Sequence, residues 1–237
     1  MNHLGATQDT NKCALITASS KGLGKEIAKK FAFEGYDIIL NGRDETKVYE
    51  TQFELNHKIA SDIMCESVIG DLRSDDTIQK LYDVSKGHIS VLVNNAAIPC
   101  YGLPLDEMSD DQIWRSIETN LLAPIRLTQK IYPLLKEQGY GSIININSIV
   151  GKEPKKFRSV HSATKWGLKG FTKSLRQEAF DHNVHLINVY PTRIKTIKDF
   201  TYGLKPSKVA DEVFKSHRHS LVERTIDGRP KEFRPNG

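Results

Sequence analysis

Short apolar runs alternate along the chain with longer stretches whose apolar residues recur every three or four positions. The runs at 13–18, 36–40, 66–70, 90–95, 142–147 and 184–190 read as strands. Helical spacing covers 22–34, with Ile27, Ala28 and Phe31 on one face, then 44–60, 75–86, 109–136 and 159–181, with a further helix starting near Pro206. Pro124 and Pro133 are expected kink points in the long fourth helix. The strands are apolar on both faces, as they must be when helices cover both sides of a parallel sheet. Alternation of strand and helix predicts one α/β domain: a doubly wound parallel sheet of about seven strands with right-handed crossovers. Its core is expected over about 12–227. The Pro/Gly/Arg-rich tail after about 219 is read as one short strand and a frayed end.

Composition fits this picture without sharpening it. The 237 residues are 38% hydrophobic and 27% charged, with net charge +5, and belong to a globular chain long enough to need no disulfide or metal. Cys13, Cys65 and Cys100 are odd in number and widely spaced, so free thiols in a reducing compartment, the cytoplasm, are expected. The polar start MNHLGATQDTNK has no apolar stretch of a signal peptide, and no run of 18 apolar residues predicts a membrane span.

The first candidate for chemistry follows the first strand: Thr17-Ala18-Ser19-Ser20-Lys21-Gly22-Leu23-Gly24, then a helix. Glycines there let backbone approach a pyrophosphate, and the helix N-terminus adds N–H groups and partial positive charge. By itself such a turn is equally a tight packing corner.

The segment resembles the TGxxxGxG of the short-chain dehydrogenase/reductases, with Ala18 in place of the first glycine. Other motifs follow in the family's order over about 12–215. Asp71-Leu72 resembles the acidic pair at the adenine, and Asn94-Asn95-Ala96-Ala97 resembles NNAG. Asn120, Ser148 and Lys165 stand where the family has its catalytic Asn, Ser and Lys. Pro191-Thr192-Arg193-Ile194-Lys195-Thr196 resembles PGxxxT. The resemblance implies a Rossmann-like fold and hydride transfer between a nicotinamide cofactor and a carbonyl or alcohol. It implies cofactor contacts from Thr17, Ser19, Ser20, Lys21, Gly22, Leu23, Gly24, Arg43, Asp71, Leu72, Asn95, Ala96, Ala97, Lys165, Pro191, Ile194 and Thr196. A homodimer or homotetramer built on two long helices is also implied.

The second strand ends Leu40-Asn41-Gly42-Arg43, with no acid at its tip for a ribose 2′-hydroxyl. Arg43 and Lys21 together suit a 2′-phosphate, so NADP(H) is expected over NAD(H); the competing reading is two solvated surface charges. Asp44 is placed to cap the next helix.

One position departs from the family. His161 occupies the place of the catalytic tyrosine, four residues before Lys165 and thirteen after Ser148. Histidine is an acid–base group with an ordinary pKa near ~6.5. The neighbouring lysine lowers that pKa, and the side chain is shorter than tyrosine by roughly 2 Å at the donor atom. Three roles stay open: substitute general acid, relic of lost chemistry in a cofactor-binding pseudoenzyme, or bystander to catalysis by positioning.

Two basic segments are expected at the mouth of the substrate site. Lys152, Lys155, Lys156 and Arg158 stand against Glu153, and Arg193, Lys195, Lys198 and Lys205 against Asp199. They suit an anionic, phosphorylated or carrier-linked substrate, or are simply solvated. About ten residues between Thr196 and Pro206 make a short lid. Nucleic-acid binding is not expected, because no aromatic stacking platform accompanies the cations. The histidines at 182–185 and 217–219 lack partners for a metal and are expected to be solvated. Trp114 is expected to pack on the core or on a subunit neighbour.

Overall fold

The structure is a computed structural model that describes residues 12–60, 62–195 and 202–229. Seven parallel strands form one sheet: β1 (Cys13–Ile16), β2 (Asp37–Gly42), β3 (Cys65–Ile69), β4 (Ile89–Asn94), β5 (Gly141–Ile146), β6 (Val184–Pro191) and β7 (Glu223–Ile226). Their spatial order is β3-β2-β1-β4-β5-β6-β7. The order reverses between β1 and β4, which opens a crevice beyond their carboxyl ends.

Alternation along each strand divides the core into two layers. Ala14 and Ile16 join Ile27, Phe31, Val213 and Phe214 from α1 (Gly22–Phe33) and α7 (Pro206–Arg218). Cys13 and Leu15 join Leu81, Leu127, Ile131 and Leu135 from α3 (Asp75–Ser85) and α5 (Ala123–Gln138) on the opposite side. Phe31 is fully buried and meets Tyr36 and Phe214 edge-on at 5.1 Å each. Its truncation to alanine would cost about 3–5 kcal/mol.

The expected elements are present, with strand ends shifted by one or two residues. α2 (Glu45–Glu54) is shorter than the 44–60 reading and runs into a π turn at Leu55–Ile59. Asp44 caps it, accepting from the Lys47 N–H. α6 (Ser159–Glu178) ends before a short 3₁₀ turn.

The long helix expected over 109–136 is interrupted. α4 (Asp110–Ile117) passes through a π turn at Glu118–Leu122 into α5. Pro124 explains the position: it lacks the N–H that would reach the Asn120 carbonyl, and its ring crowds that carbonyl. The neighbouring Ala123 N–H bonds Glu118 instead.

Two side chains differ from the sequence reading. Trp114 is exposed on α4 rather than packed in this chain's core. His217 is not solvated. It falls on the α7 face of Ala210, Val213 and Phe214, with Nε2 2.9 Å from the Tyr36 hydroxyl and Nδ1 2.9 Å from Ser142 Oγ.

Candidate active site

The turn after β1 is built from two left-handed residues, Ala18 at φ 51° and Gly22 at φ 56°. Gly24 fits because nothing larger would: a Cβ there would lie 2.3 Å from the Ala18 carbonyl oxygen and 2.5 Å from Asn95 Nδ2. Lys21, the N-cap of α1, gives no side-chain cap, and no acid lies in the first turn. The helix therefore presents free N–H groups and positive potential at the crevice. This uncapped terminus beside a closely approached backbone fits a dinucleotide pyrophosphate.

The neighbouring strands lock the turn. Thr17 Oγ1 donates to the Val93 carbonyl and accepts from the N–H groups of Asn95 (2.9 Å) and Ala96 (3.0 Å). Asn95 Nδ2 donates back to the Thr17 carbonyl at 2.9 Å. Ser19 is fully buried, and its hydroxyl accepts from the Asn41 N–H at 3.0 Å. Among the residues predicted to touch cofactor, Thr17 and Ser19 thus commit their side chains to shaping the turn. Leu23 and Leu72 are buried, whereas Lys21 and Ala97 are exposed.

At the tip of β2 the Arg43 side chain is 64% exposed and 3.6 Å from Asp71 Oδ2. Asp71 accepts from Arg73 Nε (3.1 Å) and Nη2 (3.0 Å). Those bonds, reinforced by the Arg43 charge, hold its carboxyl below the ordinary range. The acid of the Asp71–Leu72 pair is therefore engaged by arginines.

The four catalytic candidates lie at the carboxyl edge of β4 and β5. Asn120 sits in the π turn, a frequent device at functional positions. Its amide exchanges two bonds with the Ile98 backbone, Nδ2 donating to the carbonyl at 3.0 Å and Oδ1 accepting from the N–H at 2.8 Å. Ser148 follows β5 and caps the 3₁₀ turn Ile149–Gly151, its hydroxyl accepting from Val150. Asn147 Oδ1 accepts from the Ser148 N–H (2.9 Å) while its Nδ2 donates to the Lys165 carbonyl (3.1 Å). Lys165 is buried on α6, with Nζ donating to the Ile146 carbonyl at 3.0 Å, and burial pulls it down to about 8.

His161 lies one turn earlier on α6 and is only 8% exposed. Burial, then the charges of Lys165 and Arg158, lower it to about 4. The direction expected from the lysine holds, with burial as the larger cause. Its Nδ1 is buried and finds no partner among the described residues.

The basic segments divide. Lys152 turns away, 3.2 Å from Glu223 and 4.2 Å over the Tyr190 ring. Glu153 pairs with Arg229 at 2.7 Å. Lys155 and Lys156 are exposed, and Arg158 is half-buried beside His161. Pro191 ends β6, Thr192 Oγ1 accepts from the Gly228 N–H, and Ile194 pairs with Leu204. Thr196, Lys198, Asp199 and most of the expected lid lie outside the described residues. Among the described residues no cluster of three or more metal-ligating side chains exists, and no helix is long and apolar enough to cross a membrane.

Sequence reasoning passed over two residues. Asn147 joins Ser148 to Lys165 and was hidden inside an apolar strand run. Tyr101 meets His161 edge-on, ring centroids 5.9 Å apart, from the loop after β4.

The arrangement combines a dinucleotide cradle, a serine hydroxyl able to bind a carbonyl oxygen, and a buried lysine. Comparisons with known proteins place the chain in a family. The family profile described as short chain dehydrogenase matches residues 12–200. Ketoacyl reductase HetN of Nostoc sp. is 31% identical over 236 residues, 93% of this chain and 80% of that one. The 2-dehydro-3-deoxy-L-rhamnonate dehydrogenase (NAD(+)) of Sphingomonas sp. is 31% identical over 170 residues, 70% of this chain and 66% of that one. Among solved structures, a metagenomic short-chain oxidoreductase in complex with NADP superposes with TM-score 0.80 at 30% identity, covering 94% of this chain and 98% of that one. On sequence, fold and motif order together, the chain belongs to the short-chain dehydrogenase family of oxidoreductases.

Proposed function

We propose that the chain is an NADP(H)-dependent oxidoreductase that interconverts a carbonyl and an alcohol, with an anionic or carrier-linked compound as its substrate. The observation that carries the cofactor choice is the tip of β2. Arg43 is exposed there, and Asp44, the first acid beyond it, is used as the α2 cap. A ribose 2′-phosphate would meet a guanidinium instead of a carboxylate. The relative whose name prints NAD(+) keeps the alternative cofactor in the family, so the affinities themselves are the test.

The α1 N-terminus and Gly22 to Gly24 would hold the pyrophosphate, Asn95 to Ala97 the nicotinamide side, and Lys165 the ribose. Pro191, Ile194 and Thr196 would contact the cofactor. The bound cofactor supplies or accepts the hydride. Ser148 would bind the carbonyl oxygen, and Asn120 would order a water through the amide already held by Ile98. Lys155, Lys156 and Arg158 would steer the anion; Lys152, paired with Glu223, takes no part. The exposed Leu122, at the end of the π turn before α5, and Trp166 on α6 suit a homo-oligomer. The buried free thiols suit a reducing compartment such as the cytoplasm.

The test has two steps. Dissociation constants for NADPH and NADH, read by nicotinamide fluorescence, should favour NADPH at least ~10-fold, the worth of one charge-assisted bond. NADPH oxidation should then be faster with acetoacetyl-CoA than with the neutral ethyl acetoacetate, and the advantage should shrink with salt. NADPH binding with no turnover of either compound would leave a cofactor-binding protein and overturn the enzyme reading.

A further inference from the structure

His161 is poorly placed to give up a proton: it is buried and neutral. Another ring stands in front of it. Tyr101, half exposed, meets the imidazole in an edge contact with an interplanar angle of 76°. The Arg158 guanidinium stacks 4.6 Å from the centre of the Tyr101 ring. Arg158 sits at the N-cap of α6, one turn before His161, and no ion pair with a carboxylate forms there among the described residues.

The two loops are also joined through the backbone, the Gly102 N–H donating to the Phe157 carbonyl at 3.0 Å. Phe157 is held at φ 59°, left-handed for a bulky residue. That conformation costs about 1–2 kcal/mol, and such strain persists where the surroundings over-determine it, often at functional sites. Tyr101 further lines a cavity of about 300 Å³ with Ile98, Cys100, Leu103 and Met108. The volume is at the small end of the range for a small-molecule site.

We propose that Tyr101, reaching in from the loop after β4, is the catalytic residue that hands a proton to the substrate oxygen, in place of the tyrosine that His161 replaces. This rests on the reductase reading above. The carbonyl carbon takes hydride from a reduced nicotinamide, the C=O π pair moves to oxygen, and the Tyr101 O–H proton bonds that oxygen to give the alcohol. The phenolate left behind is half exposed and takes its proton back from water. The Arg158 guanidinium lies against the face of the ring that carries the transient negative charge. His161 acts as a wall that fixes the Tyr101 ring by edge contact. Chain order hides the substitution, since the phenol now comes from the β4 loop instead of α6.

The experiment compares the parent with Tyr101→Phe and His161→Gln, using NADPH and whichever of acetoacetyl-CoA and ethyl acetoacetate turns over faster. A positioned general acid contributes about 10²–10⁴-fold. Tyr101→Phe should therefore lower kcat at least ~100-fold with the NADPH dissociation constant unchanged, and His161→Gln should lower it less than ~10-fold. Nitration by tetranitromethane, mapped by peptide mass, gives a readout without turnover. Tyr101 should be modified in the chain loaded with NADP⁺ and protected when the carbonyl compound is added. A Tyr101→Phe enzyme within threefold of the parent overturns the assignment and leaves the reductase reading standing. So does a pH limb near 4 that disappears in His161→Gln, or nitration indifferent to the carbonyl compound. A parent that binds NADPH and reduces neither compound removes both together.

Discussion

The Lys165 ammonium donates to the Ile146 carbonyl across 3.0 Å at a site where the lysine is 3% exposed. A cation in that position is held against its hydration. Its folded pKa of about 8 lies below the ordinary 10.5. The unfolded chain thus binds the extra proton between those values, and the penalty is complete below pH 8 and gone above 10.5.

Lys165→Met should therefore stabilise the protein at pH 7 while removing the cofactor contact proposed for it. Relief of the buried charge, less the bond lost at Ile146, is about 2 kcal/mol, or ~4–8 °C in Tm for a chain of this size. NADPH affinity should fall at least ~10-fold. The Tm gain should shrink as pH rises from 8 to 10.5. A variant that loses Tm at pH 7 would mean that Lys165 holds the fold together and is not strained for function.

Acid sensitivity should reside in two histidines, the buried His161 and the partly buried His217. His161 and His217 both fall to about 4 from 6.5, in each case through burial first. Both are held neutral by the fold, so the unfolded chain takes up protons first as pH falls below 6.5. Their contribution is intact above 6.5 and is lost progressively toward pH 4, about 3 kcal/mol each at most. Denaturant midpoints followed from pH 7 to 4 should show this fall, and His217→Gln should remove about half of its slope. An unchanged slope would place the acid sensitivity elsewhere.

The β1 turn carries a strain that a glycine would relieve. Ala18 sits at φ 51°, where an L residue with a Cβ costs about 1–2 kcal/mol. Ala18→Gly gives back part of that gain through the greater freedom of the unfolded chain. The net expectation is about 0.5–1 kcal/mol of stabilisation, read as a rise of ~1–4 °C in Tm. A fall in Tm would show that the turn tolerates alanine without strain.

These sites differ in how visible they are in the sequence. The sheet was legible because its strands are continuous apolar runs, and the cradle because Gly22 and Gly24 follow β1 directly. The π turn at Asn120 had a signal in Pro124, whose missing N–H falls four residues later, but the proline alone does not say whether a helix kinks or bulges. His217 was misread as solvated because its run, SHRHS, is polar, although the spacing from Ala210, Val213 and Phe214 places it on the buried face of α7. Tyr101 was invisible for a different reason. Its loop has no period, and it meets His161, sixty residues further along the chain, only because the sheet order sets β4 beside β5.

Arg43 offers the sharpest test of cofactor choice because it contributes little to the fold. Its side chain is 64% exposed and its contact with Asp71 is 3.6 Å, a surface pair worth about 0–1 kcal/mol. Arg73 continues to hold Asp71 through two bonds when Arg43 is replaced. Arg43→Asp should therefore leave Tm within ~2 °C of the parent. A lost guanidinium–phosphate bond is worth about 1.5–3 kcal/mol, so NADPH should bind ~10–100-fold more weakly. The new carboxylate can accept from a ribose 2′-hydroxyl, so NADH affinity should hold or rise, and the preference between the two should invert. Salt gives an independent check: in the parent, raising ionic strength should weaken NADPH more than NADH, and in the variant that difference should close. If NADPH binds both chains equally, Arg43 is a solvated charge and the 2′-phosphate is read elsewhere.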